Sequence, residues 1–396
     1  MKNGLLLSCV VAASLFVSCG SKEKESTLIT VKNNLELPRS FETIEISRAD
    51  VTLKEGERFE DFSVQDVATK SMLTSQFVDE DQDGTADVLL FQPELAPNSE
   101  KQFELVIIDV TIKHDSVVHC YSRFVPERTD DYTWENDKVA FRTYGPVAQK
   151  MIEDSIPGGT LSSGIDAWLK KVDYPIIDKW YAKNAKNPGA YHIDHGEGLD
   201  NFHVGSSRGV GGSAVKVDTS YYISKNFTDY KTITNGPIRT SFVLDYADWD
   251  ANGNTISEEK HISLDYGNNF SRFEIHVEGT DVLSIGLTLH DNLGTITENV
   301  DEGWISYWES EYFDSELGTA VVAAKSDMIS SDYYVTNMKD RSNLYTQLKV
   351  NDNKVVYYAG FAWKESKQYP TKASWEKHIQ EFAEKINSPL EVSFNK

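Results

Sequence analysis

Arg239-Thr240-Ser241-Phe242-Val243-Leu244 alternates polar and apolar side chains at a period of two, and this pattern decides the fold class. Successive side chains of a strand point to opposite faces, so such a run half-buries a β-strand and gives no helical stripe. The texture recurs at Glu104 to Asp109, Phe273 to Val277 and Val355 to Phe361, all rich in Val, Ile, Tyr, Phe or Thr. Between such runs, Asp250-Ala251-Asn252-Gly253-Asn254 and Asn351-Asp352-Asn353 carry the residues of hairpin turns. One helical signal stands apart: Trp375, Ile379, Phe382 and Ile386 repeat at spacings of four, three and four, and Pro389 ends the pattern. The chain is therefore expected to be mostly β, with a C-terminal helix.

Outward from these strands, Pro126-Glu127-Arg128-Thr129-Asp130-Asp131 separates two parts of different texture. Residues 28–127 have the length and strand spacing of a small immunoglobulin-like β-sandwich. Residues 128–396 hold nearly all the tryptophan and most of the histidine, and are expected to form a larger, mutarotase- or lyase-like β-sandwich with a groove for a polymer. The chain begins Met1-Lys2-Asn3-Gly4, followed by the apolar run Leu5 to Val17 and then Ser18-Cys19. A basic start, a short apolar stretch and a small residue before cysteine describe a secretory signal, 1–18, too short to span a bilayer. Leu15-Phe16-Val17-Ser18-Cys19 reads as an imperfect lipobox, which makes Cys19 the expected lipidation site and 19–27 a polar tether. The expected location is the cell envelope, as a lipoprotein on the periplasmic side or the outer-membrane surface.

With Cys9 in the signal and Cys19 acylated, only Cys120 remains, which allows no internal disulfide. It is read as a buried structural thiol. A net charge of −23 argues against nucleic acid as a partner. An anionic ligand would need a local cluster of Arg, Lys or His, because screening limits the bulk field to about 8 Å.

Three segments carry residues capable of chemistry. Asp79-Glu80-Asp81-Gln82-Asp83-Gly84-Thr85-Ala86-Asp87 resembles the start of a calcium loop, but Leu90 stands where an EF-hand needs Glu and the flanks look like strands. An acidic hairpin turn is the preferred reading. In Phe141-Arg142-Thr143-Tyr144-Gly145-Pro146, alternation puts Arg142 and Tyr144 on one face, able to hold a carboxylate and a hydroxyl. Tyr191 to Gly212 gathers three of the nine histidines and six of the 24 glycines with Asp194, Glu197, Asp200 and Arg208. Glycine permits close backbone approach, and histidine and carboxylates move protons or bind metals. His192, His195 and His203 with Glu197 or Asp200 match no standard zinc spacing, so a divalent metal is possible but not required. Ser206 and Ser207 lack a nucleophile elbow, and the glycines fit no nucleotide loop. Paired carboxylates for glycoside hydrolysis remain open among Asp194, Glu197 and Asp200. Acid–base catalysis with an Arg holding an anion is the reading these residues favour.

Asp194-His195-Gly196-Glu197-Gly198-Leu199-Asp200, Val204-Gly205-Ser206-Ser207-Arg208-Gly209 and Asn235-Gly236-Pro237-Ile238-Arg239 resemble a lipoprotein family of bacterial polysaccharide-utilisation systems, formerly grouped as a domain of unknown function. Trp134-Glu135-Asn136-Asp137, Ile177-Asp178-Lys179-Trp180-Tyr181, Tyr307-Trp308 and Tyr358-Ala359-Gly360-Phe361-Ala362-Trp363 fit the same pattern, so the likeness covers nearly all of the mature chain. Where the family often has cysteine this chain has Val210, so no thiol is implied. The family resembles ulvan oligosaccharide dehydratases. That resemblance implies elimination of water from the terminal uronic acid of an anionic oligosaccharide, leaving a C4–C5 double bond. The C5 proton becomes acidic once the neighbouring carboxylate is neutralised, a task suited to Arg208 first and Arg142 second. His195 or His192 is the expected base, since imidazole has an unperturbed pKa of about 6.5. Tyr144 or a second histidine would protonate the leaving hydroxyl, and Glu197, Asp200, His203, Trp180 and Lys179 are expected substrate contacts. A polysaccharide lyase would use the same groups. A glycan-binding protein without catalysis would use Trp180, Trp304, Trp308 and Trp363 as stacking platforms, each of which has buried core as its plainer alternative.

Overall fold

A computed structural model describes residues 27–107 and 117–395. The expected signal peptide 1–18, the lipidation site Cys19 and all but Thr27 of the tether lie outside the described residues.

The protein is mostly β, as the alternating runs require, with the strands gathered in five sheets among the described residues. In the smaller part, Glu391–Asn395, Leu28–Asn33, Ser99–Ile107 and Phe62–Asp66 form one sheet, and Ile44–Ser47, Val88–Phe91 and Ser75–Val78 form another. Ile29, Val31, Phe103 and Leu105 from the first meet Ile46, Leu89 and Phe91 from the second in a core of their own. Two strands depart from the sequence division. Glu391–Asn395 pairs with Leu28–Asn33, although it is the far end of the chain. Tyr121–Val125, placed by sequence in the smaller part, pairs with Asp131–Glu135 of the larger one. Alternation identifies a strand but carries no information about which edge it will join.

The larger part is built on a nine-stranded sheet that contains Arg239–Asp245, Asn254–Asp265, Phe270–Glu278 and Lys354–Trp363 as neighbours. Phe242, Ile262, Phe273 and Phe361 on this sheet share one core with residues of two five-stranded sheets, Trp134, Phe141 and Leu169 from one and Ile285, Leu287 and Leu344 from the other. Asn252 and Gly253, with φ of 56° and 93°, form the turn between Trp249–Ala251 and Asn254–Asp265 that the Asn-Gly pair predicts.

Three α-helices are present among the described residues: α1 at Pro146–Glu153, α2 at Ile177–Lys186 and α3 at Lys372–Asn387. The last is the expected C-terminal helix. Thr371 caps it, its hydroxyl accepting from the Ser374 amide at 3.2 Å. Its buried stripe of Trp375, Ile379 and Ala383 packs on Phe270, Trp308 and Ala320, with Trp375 parallel to Phe270 at 5.3 Å. At the start of α2, the buried Glu135 carboxylate accepts from the Ile176 and Ile177 amides and from Lys170 Nζ at 2.8 Å. That buried pair fixes α2 against Trp168 and so backs the loop that follows it. No helix of the described residues is long and apolar enough to cross a membrane.

Candidate active site

Strand Ala140–Thr143 pairs antiparallel with Asp166–Lys170 so that Arg142 lies directly opposite Asp166. A charged residue at the centre of a fully buried strand is rare unless paired, and here two such residues answer each other. Arg142 Nη2 bonds Asp166 Oδ2 at 2.5 Å and lies 3.0 Å from Asp200 Oδ2, while Nη1 is 3.9 Å from Asp131 Oδ2. The guanidinium is boxed by rings, with its carbon 5.2 Å from the Trp168 centroid, 5.3 Å from Tyr144 and 5.8 Å from Tyr191. Tyr144 donates its hydroxyl to Asp166 Oδ2 at 3.3 Å, and Tyr181 donates to Asp131 Oδ2 at 3.1 Å.

Three buried carboxylates around one buried guanidinium leave the cluster short of positive charge, which favours the protonated form of the acids. Burial pushes Asp166 up to about 7 and Asp131 up to about 6, with Arg142 opposing both shifts. Burial likewise raises Asp200, again against Arg142. Burial works against the charge of Arg142, but Asp200 and Asp166 more than compensate and keep it protonated. The Tyr144 phenol is pushed well up, first by burial and then by Asp166, so it is held as a donor. Arg142 Nε and Nη1 are buried and carry no hydrogen bond, an unusual state for a guanidinium and one that a further acceptor would relieve.

A cleft of about 680 Å³ opens on this cluster, lined by Arg142, Tyr144, Thr160, His192, Asp200, His203, Lys339 and Asp340 among others. His192 ends the short turn Ala190–His192, and its Nδ1 faces the Asp200 carbonyl oxygen and lies 3.7 Å from Asp200 Oδ2. With Nδ1 donating to these acceptors, the Nε2 lone pair is left for other work. His203 Nε2 is 3.1 Å from Asp340 Oδ2, and the His203 carbonyl is reached by His290 Nε2 at 3.1 Å. His290 is itself held by Glu309, 2.9 Å from Nδ1. Gly205 lets the loop pass beside Asp340: its φ is +51°, and a Cβ there would lie 2.2 Å from Asp340 Oδ2.

Five of the expected site residues, Arg142, Tyr144, His192, Asp200 and His203, thus meet in one cleft. The other five do not. Arg208 is 0% exposed and its guanidinium turns into the core, where Nη1 bonds Ser163 Oγ at 2.9 Å and the Ser213 carbonyl at 3.1 Å. Burial lowers its pKa. Its side chain passes close beside Gly286, where an added Cβ would lie 2.6 Å from Arg208 Cγ. His195 lines a separate crevice with Trp180, Lys183 and Glu197. Glu197 is bound by Lys179 and accepts from Tyr174 at 2.6 Å, a surface cluster that leaves neither Glu197 nor Lys179 at the cleft. Trp180 is core, stacked on Trp168 at 5.4 Å, and Trp304, Trp308 and Trp363 are buried as well, so the aromatic-platform reading fails for all four.

His192, His195 and His203 do not converge as metal ligands. Among the described residues, the groups whose ligand atoms approach within 4.8 Å of one another are Glu259 with His261 and His276, and Asp79 with Asp81 and Asp87. The second is the acidic hairpin, where Asp79 accepts from the Asp83 and Gly84 amides between strands Ser75–Val78 and Val88–Phe91. Cys120 is buried, its thiol pushed well up by burial, with Sγ donating to the Ile238 carbonyl at 3.2 Å. Asp131, Asp166, Lys339 and Asp340 were not foreseen as site residues. The first two carried a usable signal, being acidic positions within strand-like sequence; Lys339 and Asp340 carried none.

Residues 31–392 match the profile of the family described as Domain of unknown function (DUF4861), and the chain belongs to that family. It is 80% identical over 393 residues to "Uncharacterized protein P7" of Formosa agariphila, covering 99% of this chain and 100% of that one. Among solved structures it resembles a protein in glycosyl hydrolase family 38 from Enterococcus faecalis, with a TM-score of 0.50, 10% identity, and coverage of 95% of this chain and 48% of the other. An alpha-mannosidase from Enterococcus faecalis V583 gives a TM-score of 0.47 at 9% identity, over 94% of this chain and 46% of that one. The chain spans about half the length of these two structures, and at 10% identity the likeness to the first concerns the fold alone.

Proposed function

We propose that the protein is a carbohydrate-active carbon–oxygen lyase that eliminates water from the terminal uronic acid of ulvan-type oligosaccharides. The observation that carries this reading is the convergence of Arg142, Tyr144, His192 and His203 on one cleft from separate segments of the chain. His192 Nε2 takes the C5 proton, its ring held by Asp200. Tyr144 delivers a proton to the C4 hydroxyl, which leaves as water as the C4–C5 double bond forms, and Tyr144 is reprotonated from the Asp166 side. The substrate carboxylate is met by Arg142 and Lys339, with His203 beside them as a hydrogen-bonding group. Its arrival adds one negative charge beside carboxyls whose pKa values burial already raises, so binding favours protonation of Asp166 or Asp131.

The protein is further proposed to be exported and anchored to the cell envelope through lipidated Cys19, with an anionic oligosaccharide as its partner. The fold shared with part of a glycosyl hydrolase family 38 protein is compatible with a carbohydrate substrate. The test is to incubate purified protein with uronate-terminated oligosaccharides while following the ultraviolet band of a conjugated unsaturated uronate, with mass spectrometry alongside. Loss of one water without shortening supports the dehydratase. Absorbance with shorter chains assigns a polysaccharide lyase, shorter chains without it assign hydrolysis, and binding with no product assigns a glycan-binding role. Each of the last three overturns the proposal.

A further inference from the structure

A second cluster of ionisable groups, sharing no residue with the cleft, stands on the nine-stranded sheet. Strands Asn254–Asp265 and Phe270–Glu278 pair so that Glu259 lies opposite His276 and His261 opposite Glu274. On the other side, Asp245 lies opposite Glu259. Residues two apart on a strand share a face, so these five side chains stand together on the face away from Ile262 and Phe273 of the core. Neighbouring strands are held about 4.8 Å apart by their ladder, which fixes this grouping without any help from loops.

The contacts divide the five into two roles. Glu274 is engaged by Lys354 Nζ at 2.5 Å, Arg272 Nη2 at 2.7 Å and His276 Nε2 at 3.1 Å. Glu259 is contacted by two imidazoles, His261 Nε2 at 2.5 Å and His276 Nδ1 at 3.9 Å. The two imidazoles lie nearly parallel, 4.6 Å apart. Asp245 lies directly opposite Glu259 on the adjoining strand. Glu259, His261 and His276 thus bring one carboxylate oxygen and two imidazoles to one spot, while the nearby Lys354 and Arg272 are held by Glu274.

We propose that Glu259, His261 and His276 bind one divalent transition-metal ion of the zinc class, with Asp245 as a further oxygen donor. The ligand atoms of the first three already lie within 4.8 Å of one another. Tetrahedral zinc, with bonds of about 2.0–2.2 Å, asks for ligand atoms about 3.3–3.5 Å apart. Rotamer adjustment of side chains that are each about 40% exposed closes that gap. Two imidazoles with carboxylate oxygens suit zinc, copper or nickel and not calcium or magnesium, which take oxygen alone. The ion would sit beside a groove of about 530 Å³, lined by Glu259 and His261 on one side and by Val78, Glu80 and Leu90 of the smaller sandwich on the other. It would thereby bear on how the two parts of the molecule meet.

The test uses the full soluble chain, stripped with chelator and desalted, titrated with zinc chloride alone by calorimetry, and with cobalt(II) to read visible ligand-field bands. One ion per chain is expected, with affinity falling at least about tenfold in His276→Gln and in His261→Asn. His192→Gln should bind zinc as wild type does, and calcium should give no heat at this site. Failure of zinc to bind at one per chain, or binding unchanged in both variants, would overturn the proposal and leave the cluster a ladder of surface ion pairs. Should either variant misfold by circular dichroism, Glu259→Gln gives the same reading. The outcome is independent of whether the cleft performs elimination.

Discussion

Two interleaved sets of residues in the stretch from Tyr191 to Gly212 look alike in sequence and behave differently in the fold. His192, Asp200 and His203 line the cleft, while His195 and Glu197 sit outside it and Arg208 is buried behind it. All six are residue types associated with catalysis, and all lie within a few residues of glycine. What separates them is the path of the backbone. The loop from Ile193 to Gly198 is tied outward by Asp194, which is bound by Lys171 and accepts from the Gly196 and Gly198 amides. The strand that begins at Val210 enters the core, and Arg208 goes in with it. Density of reactive residues along a sequence is therefore a weaker guide than convergence of residues from several segments.

That contrast can be broken by substitution. The largest expected effect is on stability. Arg208→Ala removes a fully buried side chain from its hydrogen bonds to Ser163 and Ser213 and is expected to cost about 3 kcal/mol, measured by denaturant unfolding. Turnover per folded molecule should persist, which it would not if Arg208 held substrate. Next comes the histidine pair. His192→Ala should lower kcat by roughly a hundredfold or more with little change in KM, while His195→Ala stays within about twofold. Equal losses in the two variants would erase the distinction between the two sets of residues.

A smaller effect concerns pH. Asp166 and Asp131 have folded-state pKa values raised to about 7 and about 6. The folded state therefore binds more protons than the unfolded state in this window. Their contribution to stability is complete below the unfolded carboxylate pKa of about 4 and is lost as pH rises through the folded values. Asp166→Asn should flatten the decline of stability between about pH 5 and pH 8. Over the same range KM should rise with pH in the wild type, because ionised carboxylates at the base of the cleft repel an anionic substrate. A wild-type KM independent of pH would remove the link between this cluster and substrate charge. Last, Lys179→Ala breaks the surface pair with Glu197 and should leave both kcat and KM unchanged. A KM shift there would return Lys179 to the substrate site.

Much of the fold could be read beforehand. Period-two runs fixed the strands, the Trp375–Ile386 stripe fixed α3, and Asn252-Gly253 fixed a hairpin, because each is a local pattern with a local cause. The site was half legible. Arg142 and Tyr144 were placed on one face by alternation alone, and the structure keeps them together against Asp166. Asp340 was invisible, since it reaches His203 from a position 137 residues further on, beyond the reach of any spacing rule. The zinc-class cluster shows the same limit: Glu259 and His261 were in plain view two residues apart, but their meaning depends on His276 and Asp245 lying on the adjoining strands.

The sequence by itself determined that this chain is mostly β, carries a terminal helix and keeps Cys120 out of chemistry, because burial patterns and turn residues act over a few positions. Only the tertiary structure decided which guanidinium meets the cleft. Arg142 and Arg208 have the same side chain, and what distinguishes them is the set of carboxylates, rings and hydroxyls that distant strands bring around each. Those neighbours are fixed by strand register and sheet order, which arise from packing across the whole core.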